Sequence, residues 1–73
     1  MVISDLKNSM IAIILKILVS KNEKLKLFSM GLIEGSEIKM IKNDSKGSVI
    51  LSINYNKIIL SRSLACRIEI EKV

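Results

Sequence analysis

"KLFSMGLIEGSEIKM", residues 26–40, is the stretch on which the reading of this chain turns. It interrupts a texture of aliphatic residues and lysine with a methionine and two glycines. The chain has three glycines and no proline, so each chain breaker carries information. Just upstream, Ser20 is followed three residues later by Glu23. This is the capping-box pattern, in which the serine oxygen takes a backbone N–H and the glutamate reaches back to the cap. It predicts a short helix from about Lys21 to Met30. Leu27 and Met30, or Leu25 and Phe28, have the spacing to face an interior. Gly31 then stands where a helix ends in the left-handed conformation. That places Leu32 to fold back on the last turn. Gly35 marks a second tight position, and Glu34-Gly35-Ser36 is expected to turn the chain into a strand. From Glu37 the pattern alternates, with Ile38 and Met40 inward and Glu37 and Lys39 outward. Ile41 breaks the alternation, as a bulge would.

The flanking sequence extends this pattern. "MIAIILKILV", residues 10–19, is apolar at nearly every position and rich in isoleucine. It is too short to span a bilayer, which takes about 20 residues. It also lacks the basic start and small-residue cleavage site of a signal peptide. It reads as a strand covered on both faces. "NDSKG", residues 43–47, is a hairpin loop by its turn residues, with Gly47 at its end. Strands follow at "SVILSI", with Val49, Leu51 and Ile53 on one face, and at "KIIL", joined by a tight turn at residues 54–56. "SRSLA" is one helical turn. "RIEIEK" closes as an alternating strand, with Ile68 and Ile70 inward. The expected fold is mainly β: a small SH3-like barrel of about five strands with one short helix after the first strand. Residues 1–73 make one domain at most.

Composition restricts the chemistry. The hydrophobic fraction is 49% and the aromatic fraction 3%, so Ile, Leu, Val and Met must build the core. The two aromatics are Phe28, expected to be buried, and Tyr55. One cysteine, Cys66, permits no internal disulfide, which suits a reducing cytosol. Beside Ala65 it reads as a small core hydrophobe. The net charge of +5 is spread along the chain. It suits solubility, and it also admits nucleic acid or an acidic partner.

Together the motifs resemble the FeoA family, small cytosolic proteins of bacterial ferrous-iron uptake. "KLFSMGLIEGSEIKMI" matches that family's Arg/Lys-Leu-x-x-Met-Gly-Leu/Ile-x-Pro-Gly-x-x-Ile/Val pattern through Leu27, Met30, Gly31, Leu32, Gly35 and Ile38. "SDLKNS" is similar to its Asp-Leu-x-x-Gly opening, with Ser9 where glycine is usual. "IILSRSLACRIEI" is similar to its closing segment through Leu60, Ala65, Ile68 and Ile70. Glu34 replaces a usual proline, Ser61 replaces a usual arginine, and Arg62 lies one place later. The resemblance implies an SH3-like fold and a role beside FeoB, a membrane transporter with a cytosolic GTP-binding domain. The same small barrel occurs in iron-dependent repressors, so fold alone leaves the role open.

No site chemistry is expected. With no histidine and with scattered carboxylates, neither a metal site nor a cofactor is foreseen. Glu69 and Glu71 read as a solvated pair. No nucleophile–base pair or phosphate loop marks an enzyme. An arginine finger toward the transporter's GTPase would have to come from Arg62 or Arg67, which otherwise read as surface charges. Binding remains. The candidate partner-binding residues are Lys24, Lys26, Met30, Leu32, Ile33 and Arg62, with Ile33 the exposed apolar contact and the lysines steering an acidic partner. The partner implied by resemblance is a FeoB-like membrane GTPase transporter, reached from the cytoplasm. The alternatives are a nucleic-acid-binding barrel or a repressor-type regulatory module. Only Tyr55 is left to stack on a base, so no nucleic acid is expected. Open strand edges make weak self-association a further expectation.

Overall fold

The computed structural model describes residues 1–73. A 3-10 turn at Ile3–Asp5 precedes strand β1 (Ile11–Ile17) and helix α1 (Lys21–Ser29). Strands β2 (Glu37–Lys42), β3 (Val49–Ile53) and β4 (Asn56–Leu60) follow as a meander. A single helical turn, α2 (Arg62–Ala65), leads into β5 (Ile68–Lys72). All strand pairs are antiparallel, in the order β4-β3-β2-β1-β5. The five strands, the helix after the first of them and the small curled sheet are those of the expected fold.

Alternation along the strands places one face of the sheet on a core of 17 side chains, none polar. Val49, Leu51 and Ile53 point inward from β3, Ile58 and Leu60 from β4, and Ile68 and Ile70 from β5. Each fully buried Ile or Leu contributes roughly 1.5–3 kcal/mol by leaving water. Two irregularities curl the sheet. The β2–β3 register shifts between Met40 and Lys42, so Ile41 is the bulge its sequence position suggests. The β1–β5 register shifts between Ile14 and Lys16, leaving Leu15 out of the ladder. Such extra residues bend a strand and strengthen its twist.

Strand β1 departs from expectation. It is not covered on both faces. Ala12, Ile14 and Ile17 are buried, while Ile11 and Leu15 are exposed. Sheet β5-β1-β2 has only one packed face, so an aliphatic run on a central strand still shows half of its side chains to solvent. Ser9, where the family usually has glycine, sits at φ 70°. That is the left-handed region that glycine enters without a Cβ penalty. The hairpin between β3 and β4 closes on two residues, Asn54 and Tyr55, at φ 50° and 68°, with Ile53 paired to Asn56. This tighter turn is of the type I′ that matches strand twist.

Cys66 is exposed, contrary to its reading as a core residue. It caps the C-terminal end of α2, and its sulfur lies 3.4 Å from the Ser4 hydroxyl. Its neighbour Ala65 takes the buried position instead.

Candidate functional site

The corner from Ser20 to Ser36 is built almost entirely from local rules. Ser20 Oγ accepts the Glu23 N–H at 3.2 Å, and the Ser20 N–H donates to Glu23 Oε1 at 3.3 Å. The capping box is therefore complete, a feature worth about 1 kcal/mol. Helix α1 ends at Ser29 with Met30 as its C-cap. The Leu32 N–H donates to the Leu27 carbonyl at 2.9 Å, and the Gly31 N–H to the Phe28 carbonyl at 3.0 Å. These two bonds make a Schellman motif, with Gly31 at φ 91°. Leu27 and Leu32, the two ends of that motif, are both buried.

A second turn follows at once. The Ser36 N–H donates to the Ile33 carbonyl at 3.1 Å, with Gly35 at φ 90°. A positive φ at the third residue defines a type II turn and favours glycine there. The Gly35 N–H then donates to the Ile14 carbonyl at 2.7 Å, and the Ile14 N–H to the Ser36 carbonyl at 2.9 Å. These bonds weld the turn to β1 ahead of the β1–β2 ladder. The Ser36 hydroxyl donates to the Gly31 carbonyl at 3.3 Å and ties the two turns together.

Between helix and turn lies an open cleft of ≈ 280 Å³ lined by Ile17, Lys24, Phe28, Leu32, Ile33 and Glu34. Leu32 is fully buried and forms its floor. Ile33 is 39% exposed and Phe28 64% exposed. Phe28 was expected in the core. Only Leu27 of α1 is buried, so the helix seats a single side chain in the core. Leu25 and Met30, the other candidates for the interior, are also exposed. Lys24 and Glu34 approach to 3.9 Å across the mouth, both about half exposed, a pair worth little in water.

The six sequence candidates thus separate. Lys24, Leu32 and Ile33 meet at the cleft. Lys26 and Met30 share a neighbouring side of the helix, four residues apart. Arg62 lies elsewhere and is engaged within the chain. Its Nε donates to the Gly47 carbonyl at 2.9 Å and its Nη2 to Asn43 Oδ1 at 2.7 Å. It clasps the loop that joins β2 to β3. Ile17, Phe28 and Glu34 complete the cleft and were not among the candidates. The Ser20 cap was the available signal for Phe28: it sets the helix start, and with Leu27 inward Phe28 falls at the edge of the packed face. Arg67, the other arginine, lies 3.8 Å from Glu23.

No group of three or more His, Cys, Asp or Glu side chains is assembled in a way that could hold a metal ion. A second groove, ≈ 340 Å³, runs past Lys39, Ser52 and Tyr55 with a mixed polar lining. No helix is long and apolar enough to cross a membrane.

The Schellman corner and its welded type II turn carry the family's most specific residues, and the profile of the FeoA domain matches residues 1–72. The chain belongs to the FeoA family. The crystal structure of an iron uptake regulatory protein, FeoA, is similar over 100% of this chain and 97% of its own, at TM-score 0.93 and 27% identity. The solution structure of iron(II) transport protein A from Clostridium thermocellum is similar at TM-score 0.92 and 30% identity, over 100% of this chain and 46% of that one. The crystal structure of IdeR from T. acidophilum shares the fold at TM-score 0.88 and 24% identity, across 34% of its length. No curated protein is matched by the chain. FeoA proteins are small accessory proteins of ferrous-iron transport and form no known enzyme family.

Proposed function

We propose that this FeoA-family chain works in the cytoplasm as a single-domain, non-enzymatic accessory of ferrous-iron uptake, by docking its helix–turn corner on a FeoB-like GTPase transporter. The observation that carries this reading is the pairing of rigidity with exposure. Two interlocked turns and a capped helix hold Phe28 and Ile33 outside the buried core, partly exposed beside a lysine. Exposed apolar side chains on a preorganised backbone lose little entropy on binding. In this reading Phe28 and Ile33 make the contact, and Lys24 steers an acidic surface. Lys26 and Met30 extend the contact along the helix, Leu32 supports it from beneath, and Arg62 serves by holding the far loop.

The test is capture of the transporter's cytosolic domain by the purified chain. Ile33→Asp places a charge in the apolar contact and should abolish capture while the circular dichroism spectrum and melting temperature stay unchanged. Capture at wild-type strength by this variant would reject the corner as the contact. Capture of nucleic acid in its place, lost as salt rises, would move the function to the basic surface.

A further inference from the structure

The chain treats the two edges of its sheet differently. Edge strand β5 is covered by the chain's own first residues: the Ile70 N–H donates to the Met1 carbonyl at 2.8 Å, and Val2 bridges to Glu69. Strand β4 pairs with β3 and with nothing else. Its tight turn dictates which backbone groups that pairing uses. In a two-residue hairpin the closing pair, here Ile53 and Asn56, exchanges both of its hydrogen bonds, and the pattern alternates from there. Asn56, Ile58 and Leu60 therefore turn their N–H and C=O toward β3. Lys57 and Ile59 turn theirs outward, and neither joins any backbone hydrogen bond outside the ladders. On the outer face of the sheet, the Ile59 side chain is 71% exposed.

We propose that β4 is a self-pairing edge, on which a second copy of this chain adds its own β4 antiparallel about a two-fold axis at Ile58. In that register Lys57 of each copy lies opposite Ile59 of the other. Each such pair exchanges both of its outward hydrogen bonds. The strand is its own complement in charge as well. Lys57 meets an aliphatic neighbour, never the second Lys57, and its methylene stem covers the exposed Ile59. Other registers fit worse. Centring on Lys57 sets lysine against lysine. Centring on Ile59 pairs Lys57 with Ser61, which has left the strand to cap α2 through the Leu64 N–H. A single short strand pair buries less than the ~1,200 Å² at which stable interfaces begin. The dimer is therefore weak and forms at high protein concentration. The two lysines are diagonal neighbours across the axis, so salt strengthens it.

Sedimentation equilibrium and amide NMR spectra across a dilution series test this in the full chain. The expected result is concentration-dependent shifts centred on the Lys57 and Ile59 amides, growing with ionic strength. Ile59→Lys sets like charges opposite each other and should weaken association roughly tenfold. Adding Lys57→Glu to that variant creates opposite-charge pairs and should restore it, now with salt weakening it. A sample mixed from differently labelled copies should show a contact between the two Ile58 Hα protons, a measurement that needs no variant. A chain that stays monomeric at millimolar concentration overturns the proposal. So does association that ignores Ile59→Lys in a folded variant, or that centres on Phe28 and Ile33.

Discussion

The corner at residues 27–36 and the loop at residues 43–48 each contain glycine at positive φ, yet different forces hold them. In the corner, backbone groups a few residues apart satisfy one another, and only the two bonds to Ile14 reach farther. In the loop, the side chains of Asn43, Asn8 and Arg62 do the holding. Asn43 Nδ2 donates to the Ser4 and Leu6 carbonyls at 3.0 and 2.9 Å, and the Asn43 N–H donates to Asn8 Oδ1. Asn43 Oδ1 accepts from the Ser45 N–H and from Arg62. Asn43 thus joins the N-terminal segment, the loop and α2. The corner is stiff because of local sequence. The loop is stiff because distant segments meet.

Four substitutions bear on this contrast, from the largest expected effect to the smallest. Leu32→Ala empties the floor of the corner and should cost about 2–5 kcal/mol in denaturant unfolding, because a fully buried leucine leaves a cavity. A smaller loss would mean the corner collapses to fill the space. Asn43→Ala strips partners from two carbonyls and from Arg62, and should cost about 1–3 kcal/mol. Amide exchange should quicken at Ser45 and stay slow at Gly35. Equal acceleration in the corner would erase the distinction between the two regions.

Gly31→Ala asks how much of the corner is conformational. A Cβ there would meet Ile53 Cγ2 at 3.6 Å, an ordinary contact. Strain at φ 91° is the main penalty, so the loss should be roughly 1–2 kcal/mol in melting experiments. Glu34→Pro acts in the opposite direction. Glu34 is the second residue of the type II turn, where proline's fixed φ fits, and the change should add about 0.4–1 kcal/mol to stability through the unfolded chain. Destabilisation on calorimetry would show that the turn needs Glu34 as more than a spacer.

The corner was readable residue by residue. Ser20, Glu23, Gly31, Leu32 and Gly35 each act on neighbours within a few positions, and sequence lists those neighbours. Alternation likewise placed Ile38, Met40, Val49, Leu51, Ile68 and Ile70 on the core side. Most of the failures concern which apolar side chains a small sheet has room to cover. Phe28, Leu15 and Cys66 are as hydrophobic as their buried neighbours, and nothing local marks them as exposed. For the cleft, Lys24, Leu32 and Ile33 were within reach of pattern, whereas Ile17 and Glu34 joined them only through packing of β1 against the turn. The engagement of Arg62 by Asn43 and Gly47 spans 15 to 19 positions and had no local signature.

Sequence by itself determined the order of elements, the capped helix, the two glycine turns, the bulge at Ile41 and the family. Hydrogen bonds and steric limits over a few residues suffice for all of these. Tertiary structure alone decided that β1 is covered on one face, that Phe28 faces solvent beside Ile33, and that Arg62 clasps a loop. It also decided that the N-terminus covers β5 and leaves β4 open. Each of these depends on how much surface a 73-residue sheet can bury and on which distant segments share it, quantities set only when the whole chain has closed on its core.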